Sequence, residues 1–298
     1  MSASLKNRNQ IQPNPDVSSG PRRMAPIIFC GWTLLSIIYF TVRRLVKDSP
    51  TILFLGPPAA EFCQDAKDHE LCNRTDLFSF QISSGIALTA CAILGFITWH
   101  VNKRSHTALP STPAGRLYGY LPEAELLAAL NFTFQSWDFV ISLLIPEHAT
   151  AIMLSHHLMA ATVSWCSIQY QCLHYYGIFF LGLTEISSIF LVFVDLSKYF
   201  PPIVDSLFDK FIGLFCAPLF VVTFIYYRVI LWWPESYRLF CDVKAVVASG
   251  QAQKLRPRSP AASWVLYLFL ACNFPLGLLQ LYWVTLILAE IQRMLLGN

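Results

Sequence analysis

Four side chains of this sequence have the chemistry to move a proton and stand where such groups are costly. Asp138, the adjacent pair His156-His157 and Glu185 each interrupt a long apolar run. An ionisable residue at bilayer depth costs roughly 2.5–3.5 kcal/mol on insertion scales and is kept where it faces a bundle interior or a wet cavity. A carboxylate beside an imidazole fixes its tautomer and stabilises the imidazolium. That pairing suits general acid–base work on an acyl or alcohol group. Consecutive residues on a helix point about 100° apart, so the two histidines do not simply chelate one metal, and no metal site is expected.

Further polar residues repeat at helical spacing. Asn131, Gln135 and Asp138 share one face, as do Glu185 with Ser188 and Thr184 with Ser188. Asn131, Gln135, Ser187 and Gln280 read first as hydrogen-bonding glue between helices. Arg228 is near a helix end, placed either to snorkel or to hold a phosphate or carboxylate. Trp232-Trp233 and Tyr282-Trp283 read as interface-belt residues.

The elements that must position these groups are membrane spans. Of 298 residues, 55% are hydrophobic and 13% charged, and the mean hydropathy is +0.50; a soluble domain carries about 25% charged residues. The net charge of +3 is too small for a nucleic-acid footprint, so no nucleic-acid partner is expected. A span needs about 20 apolar residues. About seven segments qualify: 26–42, 77–101, 124–145, 149–168, 173–196, 211–233 and 263–291, with Pro146, Pro201 and Pro234 as stop signals. The fold class is therefore an all-α integral membrane protein. Residues 1–25 read as a disordered polar tail, 26–46 as a first, uncleaved anchor, 47–76 as a hydrophilic loop and 77–293 as the membrane domain. The third, fourth and fifth spans are joined by loops of a few residues and must be antiparallel neighbours. Asp138, His156, His157 and Glu185 can then line one cavity.

Of the nine cysteines, Cys30, Cys91, Cys166, Cys216 and Cys272 read as small core residues. Cys63 and Cys72 share the hydrophilic loop and are a disulfide candidate if it faces an oxidising lumen. The basic residues Arg238, Lys244, Lys254, Arg256 and Arg258 weigh the count toward a cytosolic N-terminus.

An ordered set of short motifs resembles the TLC-domain family of ceramide synthases, the translocating-chain-associating membrane protein and the neuronal ceroid-lipofuscinosis ER protein. The set is Ser136-Trp137-Asp138, Leu154-Ser155-His156-His157, Leu183-Thr184-Glu185-Ile186-Ser187-Ser188, Arg228, Asn273 and Leu279-Gln280-Leu281-Tyr282-Trp283, spanning Leu126 to Leu288. Thr184, Glu185 and Ser188 stand where ceramide synthases have His, Asp and Asp, a version closer to the lipofuscinosis protein and the small TLC-domain proteins. The resemblance implies a barrel of six spans, the second to the seventh, around a lipid-sized cavity. Its usual orientation starts the barrel on the cytosolic side, opposite to the charge count. It implies membrane lipids as partners, location in the endoplasmic reticulum membrane, and a role in lipid metabolism or homeostasis. Two readings follow. One is an acyltransferase with acyl-CoA as co-substrate and no resident cofactor. His156, His157, Glu185 and Asp138 would then be catalytic, with Arg228, Asn273, Ser188, Thr184, Tyr282 and Trp283 binding substrate. The other is a non-catalytic lipid-binding, lipid-sensing or cargo-handling protein. A homo-oligomer is compatible with either. No inverted repeat or pair of broken helices points to a transporter.

Overall fold

The computed structural model describes residues 20–48, 74–200, 205–257, 259–262 and 264–296. The described residues contain helices and turns and no strand. Cys63 and Cys72 lie outside them, as do residues 1–19.

Helix α1 is Gly20–Asp48. It starts before the expected Pro26: Pro21 falls in its first turn, where a proline is tolerated, Pro26 lies inside the helix, and Arg23 is tied down by Glu125 at 3.1 Å. Helix α2 (Thr75–Phe96) runs on into a wide π turn, Ile97–Val101. The expected loop after it holds two short helices, α3 (Arg104–Thr107) and α4 (Pro113–Tyr118). Next come α5 (Pro122–Ser142) and α6 (Ala151–Tyr170). Thr150 caps α6 by accepting from the Met153 amide.

The fifth expected span is broken. α7 (His174–Leu181) ends at Gly182, a single turn of 3-10 helix covers Leu183–Glu185, and α8 (Ile186–Tyr199) follows. The sixth runs through α9 (Leu207–Phe211), a π segment Ile212–Cys216, α10 (Ala217–Thr223) and a second π segment, Phe224–Ile230. Pro234 does not stop it, contrary to the sequence reading. It lies in the first turn of α11 (Trp232–Ala248), where its missing amide hydrogen has no intrahelical partner to lose. Much of the expected loop from Glu235 to Ala262 is thus α11 and α12 (Gln251–Leu255). α13 is Trp264–Leu296 and carries Pro275.

Six stretches are long and apolar enough to cross a membrane: Gly20–Val46, Thr75–Val101, Ala151–Tyr170, His174–Tyr199, Leu207–Ala248 and Trp264–Arg293. α5 is 21 residues long but too polar for that test, since it carries Glu123, Glu125, Asn131, Gln135 and Asp138. All five are buried or half-buried, because α5 packs against α1, α2, α6 and α7. It is the seventh span, shielded from lipid by its neighbours.

Neighbouring elements close into a ring. α2 packs on α8, α8 on α10, the second π segment and α11 on α13, α13 on α6, α6 on α5, and α5 on α2. This is the six-helix barrel, with α1 outside against α2 and α5. Trp32 Nε1 donates to Ser136 Oγ at 3.2 Å and Trp137 Nε1 to Ser36 Oγ at 3.3 Å. The Ser136-Trp137 motif therefore fastens α1 to the barrel. Cys91, Cys166, Cys216 and Cys272 are buried as expected; Cys30 is exposed on the outer face of α1.

Candidate functional site

The break in the fifth span begins the site. A Cβ on Gly182 would come within 2.8 Å of the Gly95 Cα, and one on Gly95 within 2.7 Å of the Gly182 backbone. Only two glycines allow α2 and the broken segment to touch in this way. Breaking a helix at bilayer depth frees carbonyls that lipid cannot satisfy. The protein satisfies two of them from other spans. Asn131 Nδ2 donates to the Leu181 carbonyl at 3.3 Å, and Arg228 Nε donates to the Thr184 carbonyl at 2.9 Å.

Arg228 reaches that position from the π segment Phe224–Ile230, whose wide turns are a common device at functional sites. Its guanidinium is buried, not snorkelling. Nη2 donates to Glu185 Oε2 at 2.9 Å and Ser188 Oγ at 2.8 Å, Nε also reaches Ser187 Oγ at 2.9 Å, and Nη1 faces Gln280 Oε1 at 3.4 Å. Ser188 Oγ donates in turn to Glu185 Oε2 at 2.7 Å. Glu185 is therefore the partner of Arg228 and does not brace a histidine. An internal carboxylate thus already occupies the guanidinium that the sequence placed either to snorkel or to hold a phosphate or carboxylate.

The two histidines part company. His157 is held between Gln135 and Asp138: Nδ1 lies 2.7 Å from Gln135 Oε1, and Nε2 lies 3.1 Å from Asp138 Oδ1 without hydrogen-bond alignment. Asp138 Oδ1 also accepts from Ser142 Oγ at 2.7 Å. Of the two carboxylates expected to support a histidine, Asp138 is the one in place. His156 turns the other way, edge-on to Trp283 at 5.3 Å between ring centroids, and its Nδ1 is buried with no partner.

A slot between the spans joins most of these groups. It has about 620 Å³ of space between side chains, part of it open to the outside, but it is narrow, and a water molecule's centre fits in only about 40 Å³ of it. The polar part of its wall is Asn131, Gln135, His156, Thr184, Glu185, Arg228, Asn273 and Gln280; the apolar part includes Ala160, Val163, Phe180, Leu181, Phe269 and Leu276. His157 and Asp138 stand behind Gln135 and do not line it. Ser188 supports Glu185 from behind. Trp283 touches the wall through His156, whereas Tyr282 is 44% exposed and faces outward. No group of three or more metal-ligating side chains occurs among the described residues.

A family model for the TLC domain matches residues 78–289. The chain belongs to the TLC-domain family. No curated protein and no solved structure matches it significantly. As a TLC-domain protein it is a multi-pass membrane protein of a family concerned with lipid metabolism and sensing. The matched stretch begins in α2, ends in α13 and contains every polar group of the slot, while α1 falls outside it.

Several wall residues were not singled out for the site by the sequence. Gln135, Asn131 and Gln280 had read as glue, and each does bind a neighbouring span, but all three also line the slot. Trp232 had read as belt; it is 4% exposed, on the slot wall, with Nε1 unpartnered. The one available signal was its place four residues, one turn, after Arg228.

Proposed function

We propose that this protein is an acyl-CoA-dependent lipid acyltransferase of the endoplasmic reticulum membrane that works in the slot between α5, α6, α7 and α13. The observation that carries the reading is His156 Nδ1: a buried imidazole nitrogen, without a partner, on a residue that lines a slot with both polar and apolar walls. A buried polar atom left unpaired costs about 1–3 kcal/mol, which a substrate group would recover. In the proposed step His156 takes the proton of a lipid hydroxyl as its oxygen attacks the thioester carbonyl. The C–O bond forms, the C–S bond breaks, and the departing thiolate receives the proton. His157, set by Gln135 and Asp138, fixes the turn of α6 that presents His156.

Purified protein in nanodiscs, given labelled acyl-CoA and a panel of acceptor lipids, tests this. Transfer of label to a lipid, lost in His156→Ala, is expected. Undiminished transfer in His156→Ala/His157→Ala would remove both histidines from the chemistry.

A specific observation favours a second reading, a non-catalytic lipid binder or sensor. The charges of the slot, Glu185 and Arg228, are spent on each other, and the slot is narrow. A lipid retained through native mass spectrometry, with no turnover of any acyl donor, would favour that reading.

A further inference from the structure

The slot wall carries two charged side chains, Glu185 and Arg228, and they cancel. Their ion pair is 2.9 Å long, and both are below a tenth exposed. The guanidinium has little left to offer a ligand: Nε serves Thr184 and Ser187, Nη2 serves Glu185 and Ser188, and Nη1 faces Gln280. A phosphate or free carboxylate entering the slot would find no unpaired cation, and would be stripped of water without a compensating charge.

The polar atoms that do lack partners are of a different kind. Trp232 Nε1 and His156 Nδ1 are both buried and unbonded, and both residues lie on the slot wall. An indole N–H is a donor only, and a neutral imidazole nitrogen either donates or accepts. The Nε1 edge of Trp232 packs against Gly277, where a Cβ would come within 2.7 Å, so this glycine makes room for the indole edge. Trp and His are not buried unpaired without cost, and a membrane interior offers no bulk water to compensate. Beside them stand Ala160, Val163, Phe180, Leu181, Phe269 and Leu276, a surface for hydrocarbon.

We infer that the slot selects a lipid with an uncharged oxygen-bearing headgroup, an alcohol, ester or amide, whose oxygens pair with Trp232 and His156, and rejects fatty-acid anions and phosphate lipids. This rests on the reading of the slot as a lipid site, but not on catalysis there.

The test uses the full chain in neutral-lipid nanodiscs with three photoactivatable probes of equal chain length: a monoacylglycerol, the free fatty acid and a lysophosphatidic acid. Crosslinked peptides are mapped by mass spectrometry. The expected result is labelling of the slot peptides of α6, α7 and α13 by the monoacylglycerol in clear preference to both anions. In Trp232→Phe, which keeps the ring face and removes the donor, that labelling falls about fivefold, the effect of one neutral hydrogen bond. Equal or stronger slot labelling by either anion overturns the inference and leaves the lipid site standing. Slot peptides unlabelled by all three probes, with labelling elsewhere on the helices, overturn the lipid site itself. The headgroup ranking of the unmodified protein decides the matter even if the Trp232 variant does not fold.

Discussion

Gly95 on α2 and Gly182 at the end of α7 meet backbone to backbone, close enough that a methyl group on either would overlap the other's main chain. This contact seats the break in the fifth span, and the break exposes the Thr184 carbonyl that Arg228 holds. Gly95→Ala and Gly182→Ala are therefore both expected to destabilise, toward the upper end of the about 1–3 kcal/mol typical of overpacking, because main chain cannot swing aside as a side chain does. Thermal unfolding followed by tryptophan fluorescence in detergent checks this. An unchanged midpoint in both variants would mean that the two helices are not in contact there.

The Glu185–Arg228 pair should behave as a unit. Removing one member leaves a buried, uncompensated charge, at about 3–5 kcal/mol. Arg228→Met and Glu185→Gln should each lower the unfolding midpoint strongly, while Glu185→Gln/Arg228→Met should recover a good part of the loss. A double mutant as unstable as the sum of the two single ones would show that the groups do not interact.

His156 and His157 should separate by readout. His157→Ala leaves Gln135 Oε1 without its partner and opens space beside Asp138, so stability should fall by about 1–3 kcal/mol. His156 Nδ1 bonds nothing, and His156→Ala should cost less stability while abolishing acyl transfer or lipid retention. Paired melting and activity measurements on the two variants check this. The reverse pattern would exchange the two roles.

Acid should loosen the end of the bundle where α5 turns into α6. Burial against Phe80 and Tyr199 lowers the His148 pKa from 6.5, and the hydrogen bond from Arg74 lowers that of Glu147 from 4.5. Each group binds its proton more weakly folded than unfolded, so each stabilises at pH above its unfolded value. Each contribution is lost as pH falls toward the folded value. His148 acts first, below pH 6.5, and Glu147 next, below pH 4.5. Unfolding midpoints measured from pH 7.5 down to pH 4 should decline in that order, and His148→Phe should remove the first part of the decline.

Apolar run length alone made the seven spans legible, since about 20 apolar residues can scarcely be anything else. The ordered polar motifs identified the family and held six polar groups of the slot wall, His156, Thr184, Glu185, Arg228, Asn273 and Gln280, but not Asn131, Gln135 or Trp232. α5 was read in the same way, as residues 124–145 stopped by Pro146, although it carries Glu125, Asn131, Gln135 and Asp138. What the sequence could not settle was pairing and direction. Glu185 could equally have met His157 or Arg228, and only the break at Gly182 with the π turns of Phe224–Ile230 turns Arg228 toward it. His156 and His157 are adjacent in the chain, yet one faces the slot and the other is locked behind Gln135. Pro234 looked like a stop and became part of a first turn. Membrane insertion depends on composition summed along a segment, which a sequence states outright. Which buried donor meets which acceptor depends on local unwinding and on contacts between distant spans, and these exist only once the barrel has closed.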